Sequence, residues 1–95
     1  MPSPVRNVEL PAAVSGSMEV SKAEKARAGS GCVQYAGRLT VKPDADACVY
    51  ALCDGTVYEA FCLEEDRFAV NVPEGTQLQY VIYNVGGLPQ MFQIH

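Results

Sequence analysis

The chain has 95 residues, 48% of them hydrophobic, and a net charge of −4, which suffices for one folded domain and is too little for a second core. A nucleic-acid groove needs clustered Lys and Arg to replace the counterions of phosphates, so the excess of 11 acidic over 7 basic side chains argues against such a partner. No stretch approaches the roughly 18 consecutive apolar residues of a membrane span, and residues 1–13 lack the apolar run of a secretion signal. We therefore expect a soluble protein, made inside the cell, with no membrane partner and no export by a signal peptide.

The charges are unevenly distributed along the chain. Residues 1–42 carry six basic and three acidic side chains, a net charge of +3, whereas residues 43–95 carry one basic and eight acidic side chains, a net charge of −7. An acidic body joined to a basic beginning permits head-to-tail contact between copies.

The beginning of the chain has the composition of an extended arm. Val5, Val8 and Leu10 are isolated apolar residues between prolines, a pattern that disfavours a packed element. Ser21 to Glu24 matches a capping box, which predicts a short helix over 22–28 that ends at Gly29. The sequence thus predicts an N-terminal arm over residues 1–30 and a β-sandwich domain over residues 31–95.

The rest of the chain is predicted to be mostly β. The strongest local signal is Asp54-Gly55, because a two-residue type I′ hairpin turn needs positive φ at both positions. About six strands with close turns indicate a small antiparallel β-sandwich or barrel. The alternation of apolar and polar residues places these strands over 32–41, 47–53, 56–62, 67–72, 76–84 and 90–94.

The predicted central hairpin is apolar on both faces. With Asp54 and Gly55 as the loop, pairing runs from Cys53 opposite Thr56 to Cys48 opposite Phe61. One face then holds Val49, Ala51, Cys53, Tyr58, Ala60 and Cys62, and the other holds Cys48, Tyr50, Leu52, Val57 and Phe61, with Glu59 as its one charge. A hairpin of this kind needs burial on both sides. The cover is either the chain's own arm, the arm of a neighbouring copy, a foreign surface, or simply the loops of a sandwich in which the hairpin is central.

The four cysteines are expected to be free, mostly buried thiols, because the spacing within the hairpin is wrong for disulfides and no export signal is present. Only Cys32 retains the geometric freedom to pair with another cysteine. A zinc site or a catalytic dyad would have to use His95, the one His of the chain, and no C-x-x-C spacing supports it.

The acidic residues offer two further sites. The cluster Glu64-Glu65-Asp66, with Asp44 and Asp46, has the oxygen ligands of a calcium site but not the spacing of an EF-hand, so a solvated turn is the prediction. Glu59 on an apolar face has the environment of a general acid but no second placed group. We therefore predict no metal, no cofactor and no catalysis.

These patterns together favour a non-enzymatic structural or assembly protein, such as a decoration or minor capsid component of a phage or virus particle. It would associate with itself or with a larger assembly of protein, and not with nucleic acid. The candidate interface residues are Val5, Val8, Leu10, Tyr50, Leu52, Val57, Tyr58, Glu59 and Phe61. The alternative is a monomeric β-sandwich module that binds a small ligand, a glycan or a host protein through Tyr50, Tyr58, Tyr80 or Tyr83. A metal-dependent or thiol enzyme is a third hypothesis.

Overall fold

The computed structural model describes residues 4–5, 8–23, 31–64 and 66–94, which form two β-sheets with no helix among them. The six-stranded sheet has the order β1-β6-β5-β9-β10-β2, and the four-stranded sheet has the order β3-β4-β8-β7. Every pairing among these strands is antiparallel except that of β2 with β10. The strands are β1 (Pro4–Val5), β2 (Gly16–Met18), β3 (Val20–Ala23), β4 (Cys32–Arg38), β5 (Tyr50–Cys53), β6 (Thr56–Glu59), β7 (Phe61–Glu64), β8 (Arg67–Pro73), β9 (Leu78–Val85) and β10 (Leu88–Ile94). The prediction of a mostly β chain is confirmed.

Two tight hairpins set the register of the six-stranded sheet. Asp54 and Gly55 connect β5 to β6 with φ angles of 49° and 83°, and this predicted turn is confirmed. The predicted register is confirmed as well, from Cys53 opposite Thr56 to Tyr50 opposite Glu59. A second turn of two positive-φ residues, Gly86 and Gly87, joins β9 to β10. Positive φ at both positions matches the right-handed twist of the flanking strands.

The chain crosses from one sheet to the other at two corners. Between β2 and β3 only Glu19 intervenes, and between β6 and β7 only Ala60 does. The predicted strand over 56–62 therefore breaks at Ala60: its first half pairs with β5 and its second half pairs with β8. The predicted pairing of Cys48 with Phe61 is wrong, because Phe61 lies opposite Ala69. Such corners are how strands pass between packed sheets.

Buried side chains from both sheets form a single hydrophobic cluster. From the four-stranded sheet it takes Phe68, Val70 and Val72, which share one face as predicted. Tyr83 and Phe92 contribute stacked rings with centroids 4.9 Å apart. Burying a side chain of this size stabilises the folded chain by about 1.5–3 kcal/mol relative to leaving it exposed. The other members of the cluster are Met18, Val33, Leu39, Val49, Ala51, Cys53, Tyr58, Leu78 and Val81.

The predicted arm contributes strands that the sequence does not reveal. β1, β2 and β3 pair with β6, β10 and β4 respectively, and the Met18 side chain is only 2% exposed. The predicted helix over 22–28 is wrong at its start, because Lys22 and Ala23 belong to β3. Its remainder, residues 24–28, lies outside the described residues. The division into an arm and a separate domain stays a prediction.

Gly37 lies on β4 between Val20 of β3 and Phe68 of β8, and its lack of a side chain allows the corner at Glu19 to approach closely. A Cβ at this position would lie 3.2 Å from the Glu19 carbonyl oxygen, from the Phe68 ring and from the Val20 side chain. The carbonyl belongs to the backbone and Phe68 is fully buried, so neither has space to move away. We expect Gly37→Ala to lower the free energy of unfolding by about 1–3 kcal/mol, measured by urea denaturation.

Gly16→Ala is the matched control for this substitution. A Cβ there would meet only the Phe92 ring, at 3.4 and 3.6 Å, which is ordinary van der Waals contact. Its stability should change much less than that of Gly37→Ala. Equal effects of the two substitutions would show that the close approach at Gly37 does not exist.

Candidate interaction surfaces

The outer face of the six-stranded sheet carries several of the predicted interface residues. Tyr50, Leu52 and Val57 are half-buried there, and Glu59 is exposed. The register places Tyr50 between Glu59 on one neighbouring strand and Ile82 on the other. Residues directly opposite in a sheet point to the same side, so these three side chains share the face that turns away from the core.

Part of this outer face is covered by the chain itself. Ile82 does not belong to the core cluster and yet is only 2% exposed. Val8 and Glu9 line a groove of about 330 Å³ together with Tyr50 and Ile82. β1 and β2 lie at opposite edges of this sheet, so the chain between them has to pass from one edge to the other. Of the alternatives for the cover of this face, the chain's own N-terminal segment lies beside it.

The predicted interface residues do not form a single surface. Tyr58 is buried in the core cluster, whereas Leu10 and Phe61 are exposed at other places. Val5 pairs through its backbone with Val57, and its side chain lies outside the described part of the structure. Their role in contacts stays a prediction.

The edge strand β7 is the most exposed apolar element of the described chain. All four of its residues are exposed, with Phe61 at 43% and Leu63 at 57%. The register shifts between Cys62 and Glu64, so Leu63 is an extra residue with no counterpart on β8. Sequence reasoning misses Leu63, because the acidic residues after it indicate a solvated turn and the predicted strand ends at Cys62. A bulge leaves no periodic signal by which it could be found.

Two arginines lie beside β7. Arg38 and Arg67 are directly opposite each other on β4 and β8, an arrangement of like charges that is normally unfavourable. Asp66 compensates one of them, with its Oδ2 atom 3.2 Å from Nε of Arg38. Both arginines, together with Leu63 and Ala36, line a shallow cavity of about 290 Å³.

The four thiols are free, but the prediction that they are mostly buried is wrong. Cys48 and Cys62 are exposed, Cys32 is half-buried, and only Cys53 is fully buried. The sequence predicts Cys62 on the same face as Cys53, and it is exposed because the chain leaves the sheet at Ala60. Burial, with a smaller effect of the Asp54 carboxylate, raises the pKa of Cys53 to about 12.

Cys48 lies next to Tyr50 on the outer face of the six-stranded sheet. A hydrogen bond with its thiol is the main reason that the pKa of Tyr50 is raised, with further contributions from burial and from negative charge on Cys48 and Glu59. Tyr50 therefore keeps its proton at neutral pH and offers a hydroxyl, not a phenolate, to a partner.

Two of the acidic residues considered for calcium, Asp44 and Asp66, have other partners. The carboxylate of Asp44 accepts hydrogen bonds from the backbone N–H groups of Gly86 and Gly87, each at 2.8 Å. Asp44 thus holds the turn between β9 and β10, while Asp66 pairs with Arg38. Within the described ranges, no three His, Cys, Asp or Glu residues are grouped so that they could hold a metal ion. His95, on which the zinc and dyad alternatives depend, lies outside those ranges.

Comparisons with protein-family models, with curated proteins and with solved structures find no match to this chain. In the part of the chain that the structure describes, no helix is long and apolar enough to cross a membrane.

The thiols provide a direct test of the core and of the corner at Ala60. With iodoacetamide at pH 8, we expect Cys48 and Cys62 to be alkylated fast and Cys53 to stay unmodified, because its thiol is buried and almost no thiolate forms at a pH about four units below its pKa. Peptide mass spectrometry after timed quenching measures each rate.

The control is the same reaction in guanidinium chloride, where all four thiols should react. Alkylation of native Cys53 as fast as that of Cys48 would contradict the buried position of Cys53. Protection of Cys62 in a monomer would contradict the position of β7 at an open edge.

Proposed function

We propose that this chain is a non-enzymatic structural or assembly protein that binds other protein chains through exposed apolar residues and its N-terminal arm. Its two sheets form a small β-sandwich joined at the corners Glu19 and Ala60. A decoration or minor capsid component of a phage or virus particle is the setting that we propose for it.

The exposed apolar side chains are the observation that carries this proposal. Large apolar side chains scattered singly over a surface are ordinary, but two of those in this chain, Phe61 and Leu63, lie together on one edge strand. An edge strand also presents backbone N–H and C=O groups to a partner. A contact at β7 would thus combine apolar burial with backbone hydrogen bonds. In the part of the chain that the structure describes, the exposed large apolar side chains are Leu10, Val14, Val41, Phe61, Leu63 and Leu88.

The sandwich arrangement is supported by the shared core. Phe68 and Val70 from one sheet and Val81 and Tyr83 from the other belong to the same cluster. A sheet that packed against nothing would leave such side chains in water. The corner at Glu19 adds the buried Met18 to the same cluster, so the beginning of the chain also takes part.

A monomeric binding module is the second candidate, and the groove beside Tyr50 favours it. This groove of about 330 Å³ combines apolar Val8 and Ile82 with polar groups of Glu9, Cys48 and Asn84. Pockets for small ligands have this mixture of apolar walls and a few polar groups. A ligand there would contact Tyr50.

The solution mass of the full chain tests the assembly proposal against the binding module. The full chain is used because deleting the predicted arm would also remove Met18 from the core. Light scattering during size exclusion should give a mass above the 10.2 kDa of one chain, and this mass should rise with concentration. Replacing both Phe61 and Leu63 by Ser should weaken association by about a hundredfold, because about 3 kcal/mol of apolar burial would be lost.

The double substitution Gln77→Ser with Gln79→Ser is the matched control, since both of these residues are exposed and polar. Its association should equal that of the wild type. A mass of 10.2 kDa at every concentration would contradict self-assembly. A ligand screen in which Tyr50→Ala abolishes binding would then support the second candidate.

A further inference from the structure

We infer that copies of this chain join head to tail by pairing β7 of one copy with β3 of the next, which extends the four-stranded sheet from copy to copy. The inference rests on the proposed assembly function and names its partner as a second copy of the same chain.

β3 and β7 are the two edges of the four-stranded sheet. Each is four residues long, so one can pair with the other along its whole length. Among the described residues, no strand pairs with the outer side of either one. Each edge therefore presents a row of backbone donors and acceptors that a strand of equal length would satisfy.

The directions of the strands suit this contact. β3 is antiparallel to β4, β4 to β8, and β8 to β7, so β3 and β7 run in opposite directions within one copy. When a second copy continues the sheet in the same orientation, its β3 comes to lie antiparallel to β7 of the first. Antiparallel pairing is the more stable geometry per residue. The contact uses two different surfaces, so it propagates into a ring or a filament.

Charge favours this pairing over a symmetric one. β3 carries Lys22 as its one charged residue, a net charge of +1, and the sequence of β7 with the two residues after it, 61–66, has three acidic residues and none that are basic, a net charge of −3. After Arg38, which pairs with Asp66, and Arg67, which lies opposite Glu64, are both counted, a net charge of −1 remains at β7 against +1 on β3. Two β7 edges meeting across a two-fold axis would instead bring like negative charges together.

The exposed apolar residues of β7 also favour a partner strand at this edge. Phe61 and Leu63 are exposed on it, and a neighbouring strand would cover both. Leu63 is the bulge residue, without a counterpart on β8, so in one copy its side chain stays exposed and a strand of a second copy would cover it.

Leu63→Lys tests the contact without disturbing the core, because Leu63 is 57% exposed. A lysine on an edge strand blocks the approach of another strand, and association should become at least about tenfold weaker by light scattering. Leu88→Lys is the matched control, since Leu88 is 66% exposed and lies on β10 instead of on either edge of the four-stranded sheet. It should associate like the wild type. Equal association of the two variants would overturn the inference.

Disulfide trapping tests the direction of the contact. With all four residues of each strand paired, Cys62 of one copy lies opposite Lys22 of the next, within the distance that a disulfide spans. The Lys22→Cys variant, oxidised with diamide, should give a ladder of multimers on a non-reducing gel. Adding Cys62→Ser should remove the ladder, which separates it from any cross-link through the exposed Cys48.

The outcomes separate the inference from the proposed function. A ladder of multimers that needs both the Lys22→Cys substitution and an intact Cys62 supports head-to-tail pairing. A Cys62-dependent dimer that is already present in the wild type shows a two-fold contact and overturns head-to-tail pairing. A chain that is multimeric by light scattering but gives no ladder also overturns it. The proposed assembly function survives both outcomes. A protein that is monomeric at every concentration overturns the inference and self-assembly together, and of the proposed function it leaves only binding to a different protein.

Discussion

The two corners at Glu19 and Ala60 are the constraint on which the rest of this structure depends. At each corner a single residue separates a strand of one sheet from a strand of the other, so β2 continues into β3 and β6 continues into β7. The buried side chains of Met18 on β2 and Tyr58 on β6 anchor these two strands in the core. The strands that follow the two corners, β3 and β7, are therefore held as the edges of the four-stranded sheet.

This constraint connects folding with the proposed association. A domain of this size has little stability to spare, and shielding β7 by moving it would pull Tyr58 out of the core. The chain therefore retains an edge with exposed Phe61 and Leu63. Natural proteins usually protect such edges with charge and bulges. Here the same strand carries a bulge and is followed by acidic residues, which limit unspecific pairing and favour a basic partner strand.

Much of the body follows from local sequence signals. Asp54-Gly55 predicts both the hairpin and its register, because the turn type determines which residues face each other. The alternation of Phe68, Val70 and Val72 predicts the core face of β8. The two-sided apolar hairpin predicts that its outer face needs a cover, and Val8 and Glu9 line a groove beside that face.

The remaining features depend on contacts between distant residues. β1, β2 and β3 are two to four residues long, too short for a period to be visible, and exist because neighbouring strands bond to them. The capping-box pattern at Ser21 suggests a helix, but pairing with β4 outweighs this local preference. The change of sheet at Ala60 has no signal of its own either, which is why the sequence pattern puts Cys62 in the core and gives no sign of Leu63. The candidate surface at β7 therefore becomes visible only with the fold.

The most direct test of this account is amide hydrogen exchange of the wild-type chain at a low and at a high protein concentration. The amides of residues 20–23 and 61–64 should exchange fast in dilute solution wherever no strand bonds to them, and should slow together as the solution mass rises. The amides in the middle of β8 and β9 should be slow at both concentrations. If the mass rises while exchange in β3 and β7 stays unchanged, copies meet elsewhere and the account is contradicted.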